Sequence, residues 1–498
     1  VPDAPVPPAP ARLGRLTADV LVTTTSAAVL VLEILAGRLL APYLGVTLQT
    51  YTGIIGTVLA GIAAGTWLGG WLADRHDPAR LLGPALVVGG GLSLLSVPII
   101  RVLGPAWSDG GAPAIVLLAA AAFLAPALAL SAVTPLVIKL QLRHVGETGA
   151  VVGRLSALGT VGAIGGTFLA GFVLIELAPT SRLIPLIGAV LVLAGAVVWV
   201  RLARPTPRLA LGVVALLALP LGGTLAMDDR CEVETRYYCA SVEVDPQRPS
   251  GRVLVLDDLR HSYIDLDDPT HLEFRYIAAF AAAIDARWPG PVPLDALHVG
   301  GGGFTLPRWL EATHPGSRSV VLELDPGVVA LGEDRLGLEL SADLRVVVGD
   351  ARLGVADRPD ASADLVVGDA FGGVAVPWHL ATVEFTEELA RVLRPGGLYV
   401  ANMIDRGPLG FARAETATAA SVFEHVAVAG SPAALEGFGG NLVLVASDDE
   451  LDLDRLASAL EATGQQVLSG AELEAWVGDA DVLTDDLAPV DQLITPRS

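Results

Sequence analysis

The chain has 498 residues, 52% of them apolar, 17% charged and 5% aromatic, with a mean hydropathy of +0.57. That balance excludes a disordered chain, a coiled coil and an ordinary soluble enzyme. The net charge of −22 is unevenly divided: residues 1–227 hold 13 Lys+Arg against 8 Asp+Glu, and residues 228–498 hold 19 against 46, which is +5 and −27. A weakly basic, apolar half suited to a bilayer precedes an acidic half suited to water. The acidic half would repel phosphate, so nucleic acid is not an expected partner.

A helix needs roughly 20 apolar residues to cross a hydrocarbon core. About seven spans are expected, near 17–41, 50–73, 81–103, 113–138, 153–177, 183–202 and 208–227. The first is too long for a cleaved signal peptide, and further spans follow it at once. Gly61, Gly65 and Gly69, like Gly162 and Gly166, recur four apart, the spacing that lets helix backbones approach closely. Glu33 is the one carboxylate deep in an apolar span. It is a candidate polar or proton site in the bundle, or a structural hydrogen-bonding group. Arg38, five residues on, is a poor helical match for it.

One side of the membrane would hold Arg12, Arg15, Arg75, Arg80, Lys139, Arg143, Arg201, Arg204 and Arg208, and the other little beyond Arg101 and Arg182. The basic side is expected to be cytoplasmic. The protein therefore reads as a multi-pass cell-membrane protein with its N-terminus inside. Seven spans would put the C-terminal half outside. Cys231 and Cys239 have the wrong spacing for a CxxC redox or zinc motif. They are either a disulfide or two reduced thiols, and no metal is expected.

Past the spans, Tyr238–Val244 and Arg252–Asp257 read as a β-hairpin or small sheet. From 295 onward, strands and helices alternate, as in a doubly wound sheet. The strands are Ala296–Val299, Ser319–Asp325, Leu344–Val348, Ala363–Val367 and Leu398–Asn402. The first ends in Gly300-Gly301-Gly302-Gly303, a turn that lets a ligand approach the backbone. Glu323 ends the second strand, where a carboxylate can accept both ribose hydroxyls. Asp350 follows the third, where it can accept the exocyclic amine of adenine, and Asp369 follows the fourth. Together these predict a Rossmann-like sheet of the S-adenosylmethionine kind. The GxGxxG of a dinucleotide enzyme does not fit Gly300 to Leu306.

The segments Leu256-Asp257-Asp258, His261-Ser262-Tyr263, Val299–Gly303, Leu322–Pro326, Gly349-Asp350-Ala351 and Val367-Gly368-Asp369 resemble the spermidine synthase family of polyamine aminopropyltransferases. With Leu32–Pro42 and Gly69–Arg75, the whole chain looks like the membrane-fused members of that family. The resemblance implies a transmembrane helical domain over 1–227, a small β subdomain and linker over 228–290, and a methyltransferase-type nucleoside-binding domain over 291–498. It implies attack of a polyamine nitrogen on decarboxylated S-adenosylmethionine, with methylthioadenosine leaving. Gly300, Gly301, Gly302, Glu323 and Asp350 would hold the nucleoside, and Asp369 the attacking amine. The co-substrate is decarboxylated S-adenosylmethionine or S-adenosylmethionine itself, with no permanently bound cofactor.

Two departures stand out. Gly303 replaces the aspartate of the family's GGGDG, and Gly372 replaces the second aspartate of its D-x-x-D-P. His261, Tyr263, Asp265, His271 and Glu273 are candidates to rebuild a polar substrate site. The acidic segment Leu483–Asp491 either closes over the sheet edge or is a tail. The expected partners are a small amine or polyamine and the lipid bilayer, and self-association is compatible with the sequence. Two other functions fit the same residues. One is an S-adenosylmethionine-dependent methyltransferase, and the other is a polyamine-binding or transport protein with a non-catalytic Rossmann-like domain.

Overall fold

The computed structural model describes residues 13–45, 47–107, 111–142, 144–203, 231–461 and 463–494. The chain forms two compact units, Val1–Cys239 and Ala240–Ser498. The first therefore runs past the boundary expected at 227.

Six helices in the first unit are long and apolar enough to cross a membrane. They are α1 (Arg15–Leu44), α2 (Leu48–Arg75), α3 (Pro78–Trp107), α4 (Gly111–Gln141), α5 (Val145–Leu177) and α6 (Thr180–Ala203). The expected seventh span, 208–227, lies outside the described residues, as do Arg12, Arg143, Arg204 and Arg208. The glycine repeats are helix contacts. A Cβ on Gly61 would lie 2.9 Å from Leu124 O, one on Gly69 2.6 Å from Ala132 O, and one on Gly65 would strike Leu128 O. On α5, Gly162 and Gly166 lie equally close to the backbone of α1 at Thr23 and Ala27. Small residues here replace side-chain interdigitation by backbone-to-side contact, which stabilises helix pairs where water cannot drive association.

The contacts also sort the charges by end. Lys139 pairs with Asp74 at 2.7 Å, and Arg154 pairs with Asp19. These join the start of α1 and of α5 at one end, and the ends of α2 and α4 at the same end. At the other end, Gly104 of α3 lies against Tyr43 of α1. Arg38 does not pair with Glu33. Its Nε meets Glu234 Oε1 at 3.1 Å, and its other nitrogens donate to the carbonyls of Thr235 and Arg236. Glu234, in the short strand β1 (Val233–Glu234), also accepts from Thr180 N at 2.8 Å. The chain thus leaves α6 at Ala203 and reappears beside Thr180, the helix's other end, ~36 Å away at helical rise. Cys231 and Cys239 form a disulfide that closes this segment. Glu33 Oε2 is buried with no hydrogen-bond partner among the described residues.

The second unit begins with an antiparallel hairpin set, β2 (Cys239–Val244), β3 (Gly251–Leu256) and β4 (Leu259–Asp265). Helix α7 (Arg275–Arg287) leads into the doubly wound part. It contains β5 (Asp295–Val299), α8 (Thr305–Thr313), β6 (Arg318–Glu323), α9 (Pro326–Arg335), β7 (Leu344–Val348), α10 (Ala351–Ala356), β8 (Ala363–Gly368), α11 (Val383–Val392), β9 (Leu393–Asp405) and α12 (Gly410–Ala420). Antiparallel β10 (His425–Gly430), β11 (Gly440–Ser447) and β12 (Gln466–Ser469) complete the sheet. The strand order is β12-β10-β11-β9-β8-β5-β6-β7. Strands β5 to β7 step one way and β8 and β9 the other, so the order reverses between β5 and β8, where open sheets bind ligands.

Both faces are covered, which explains the nearly unbroken apolar strands. Leu297 and Val366 face a core shared with Phe385 and Phe411, whereas Ala296, Leu365 and Val367 face one shared with Phe280 and Trp309. The late acidic segment is not a loose tail: Leu483 and Val490 are buried, and Asp485 pairs with Arg352 and Thr382.

Gly65→Leu is expected to lose about 1–3 kcal/mol of stability through overpacking. Gly70→Leu, at a position with open space around it, should be neutral. Thermal unfolding of the two variants in detergent checks this, and equal melting would reject the close contact.

Candidate functional site

The turn after β5 needs its glycines for two separate reasons. Gly300 has φ +98° and Gly302 φ +50°, a region L side chains avoid. A Cβ on Gly300 would also strike the carbonyl of Asp369. The turn ends at Phe304, itself at φ +58° and fully buried at the start of α8. Glu323, at the end of β6, accepts from the amides of Gly301 at 2.9 Å and Asp325 at 2.9 Å. Burial raises its pKa, and these amide bonds oppose the rise. Asp350 caps α10 by accepting from Arg352 N at 2.8 Å, and His379 Nε2 lies 3.2 Å from its other oxygen. The residues expected to hold a nucleoside therefore share one sheet edge.

Asp369 follows β8 and is held from two sides. Tyr276 donates its hydroxyl to Oδ2 at 3.1 Å, and Asn402 donates to Oδ1 at 2.9 Å. Asn441 in turn donates to Asn402 Oδ1 at 2.9 Å, which fixes the amide's orientation. Burial pushes the Asp369 carboxyl up to about 6, against the pull of both hydrogen bonds. Such a group is mostly ionised at neutral pH yet close enough to it to exchange a proton.

Asp369 lies at a cavity of about 570 Å³. His261, Glu273 and Gly302 also line it, whereas Tyr263, His271, Glu323 and Asp350 do not. Burial pushes the His261 imidazole down to about 4, so it is neutral at pH 7. Tyr263 instead donates to Asp245 at 2.8 Å, with His271 packed edge-on against its ring. His271 Nε2 is 3.4 Å from Glu273. Sequence reading passed over Tyr276, Asn402 and Asn441. Only Asn402, a polar residue at the tip of the fifth apolar strand, left a signal there. No group of three or more His, Cys, Asp or Glu among the described residues could hold a metal ion.

Residues 297–401 match the methyltransferase domain family. A polyamine aminopropyltransferase of Vibrio vulnificus is 31% identical over 217 residues, which cover 41% of this chain and 71% of the relative. Its namesake from Chromobacterium violaceum is 28% identical over 28% of this chain and 53% of its own length. A crystal structure of a probable spermidine synthase from Corynebacterium glutamicum is 30% identical and covers 53% of this chain and 99% of that one, with a TM-score of 0.49. The chain belongs to the polyamine aminopropyltransferase family.

Against that family's motifs, the two glycine departures differ physically. A Cβ on Gly303 would lie 2.7 Å from Ser262 Cβ and would strike Ile264 Cδ1, so no aspartate fits. Beside Gly372 the nearest atom is 4.0 Å away, so a side chain is admitted. One further buried acid stands close to the site. Glu415 of α12 is buried behind Asn402 on a small cavity of about 20 Å³, and its Oε2 has no hydrogen-bond partner among the described residues. Burial raises its pKa to about 8.

Folding therefore holds the Glu415 proton from its ordinary pKa of 4.5 up to about 8. Its contribution to stability is intact below 4.5 and declines as pH rises through 8. Glu415→Gln should melt higher than the parent at pH 8 and equally at pH 4. Thermal melts across that range check it, and a constant gap would reject the buried acid as its cause.

Proposed function

We propose that the C-terminal unit transfers an aminopropyl group from decarboxylated S-adenosylmethionine to an amine, and that the helical unit anchors it in a membrane. The observation that carries this reading is Asp369, oriented by Tyr276 and Asn402 at the cavity beside the glycine turn. The nucleoside fits the residues present: Gly300 to Gly302 put no side chain over the turn, and Glu323 and Asp350 stand at adjoining strand ends as acceptors for ribose and adenine.

The donor supplies a carbon made electrophilic by its sulfonium. The amine must lose a proton before it attacks, since its free pKa is about 10. Asp369 is placed to orient that nitrogen and take the proton it sheds before attack; the nitrogen is cationic again once the C–N bond forms and leaves as the ammonium product. The C–S bond breaks, and its electron pair stays on sulfur in methylthioadenosine. Tyr276 and Asn402 leave the carboxylate one productive orientation, which supplies positioning as well as basicity.

Three observations support a C-terminal unit outside the cytoplasm. Arg15, Arg75 and Lys139 lie at the end marked by the Lys139–Asp74 and Arg154–Asp19 pairs, Arg80 follows Arg75 at the start of α3, and Arg201 lies at the end of α6 away from Thr180; a basic end marks the cytoplasm. Residues 231–239 lie at the other end, beside Thr180. Their disulfide suits an oxidising compartment. On this reading the donor has to be available on that side.

Asp369→Asn should lower kcat by on the order of 100-fold while methylthioadenosine still binds. An unchanged rate would remove Asp369 from the mechanism. Asn402→Ala removes a hydrogen bond that lowers the Asp369 pKa, so that pKa rises above about 6. The acid limb of the kcat/KM profile should then move to higher pH, and a fixed limb would assign it to another group. For the topology, a reporter fused after Ser498 should be active only when it folds outside the cytoplasm. Activity of a cytoplasm-specific reporter instead would reverse the assignment.

A further inference from the structure

The cavity at Asp369 has a charge pattern opposite to what a polyamine requires. A polyamine carries cationic nitrogens at both ends and needs carboxylates along its length. Here the walls carry three guanidinium groups, Arg260 of β4, Arg275 at the start of α7 and Arg406 just after β9. None of the three side chains forms a hydrogen bond or salt bridge among the described residues; Arg260 stacks over the Phe274 ring, 5.8 Å from its centre, and the nearest carboxylates outside the cavity, Asp245 for Arg260 and Asp405 for Arg406, act on them only through space. The opposing carboxylates in the lining are Glu273, itself 3.4 Å from His271, and Asp369, which is occupied by Tyr276 and Asn402. Three unpaired arginines converging from three separate elements are unusual in a half of the chain that holds 46 acidic residues against 19 basic ones. Like charges gathered in one concavity repel each other until a ligand neutralises them.

The two glycine replacements agree with this. Gly303 admits no side chain, and Gly372 leaves its position without a carboxylate. We propose that this cavity binds a substrate ending in a carboxylate, which Arg260, Arg275 and Arg406 recognise, with the reacting nitrogen or sulfonium directed at Asp369. Planar guanidinium forks match a carboxylate in geometry, and such charge-assisted pairs are about twice as strong as neutral ones. The carboxylate belongs either to the acceptor, an amino acid carrying a second amine, or to the donor, as in S-adenosylmethionine itself. The inference rests on the transferase reading and sharpens its substrate class.

Two ligand pairs differ by the single carboxylate. Ornithine is putrescine with a carboxylate, and S-adenosylmethionine is its decarboxylated form with one. Binding of all four, and of methylthioadenosine, would be measured by calorimetry on the full chain in nanodiscs. At least one carboxylated partner should bind tenfold or more tighter than its decarboxylated twin. Preference for ornithine places the carboxylate on the acceptor, and preference for S-adenosylmethionine places it on the donor. Arg275→Gln and Arg406→Gln should each erase most of that preference and leave methylthioadenosine binding unchanged. Gly372→Asp, which the open space tolerates, should weaken the carboxylated ligand and strengthen putrescine. If methylthioadenosine binds but neither carboxylate helps, the inference fails and the transferase reading stands. If methylthioadenosine and all four ligands fail to bind, both fall.

Discussion

The site depends on one buried carboxylate held between two hydrogen-bond donors from elements far apart in the chain. Asp369 lies where the strand order reverses, and its backbone carbonyl is what obliges Gly300 to be glycine. Its side chain binds the hydroxyl of α7 and the amide of β9, and that amide is fixed in turn by β11. The parallel and antiparallel parts of the sheet are thus joined at one group. A carboxylate so confined is raised in pKa by burial and kept from neutralising by its two donors. The resulting value near neutrality follows from the competition between these two effects, and neither alone would give it.

The acidity of the C-terminal half has a different use at each location. Asp350, Asp325 and Asp405 close helix or turn amides, and Asp485 fastens a late segment to Arg352 beside α11. Asp325, Asp405 and Asp485 are committed to structure, whereas Asp350 caps its helix with one oxygen and keeps the other toward the sheet edge. What remains in the cavity is a small number of acids among several guanidiniums, so the sign of the whole domain says little about the sign of its site.

Period and punctuation carried most of the fold in the sequence. Apolar runs ending in Gly, Glu or Asp placed the parallel strands β5 to β8, because both faces of such strands are buried and the ligand edge alone is polar; the fifth, read as Leu398–Asn402 after a Pro-Gly-Gly turn, runs instead from Leu393 to Asp405. The glycine repeats of α2 and α5 were legible as contacts for a similar reason, since a fixed spacing of four has one geometric meaning in a helix. Pairings between distant residues were not legible. Arg38 finds Glu234 at a separation of 196 residues, and Tyr276 finds Asp369 at 93. No local pattern encodes either. Tyr263 illustrates the converse. It stands in a motif that resembles a substrate-binding segment, yet its hydroxyl is committed to Asp245 across the hairpin.

The tight fit around Gly303 bears on how this site can change over generations. An aspartate there meets Ile264 and Ser262 at once, so one substitution yields a strained fold rather than an altered preference. A smaller residue at 264 would clear only one of the two contacts, because Ser262 Cβ, 2.7 Å away, is fixed to the backbone of β4. At Gly372 the same replacement is open in a single step. The two positions thus have unequal evolutionary access, and any drift toward a purely cationic ligand would begin at 372.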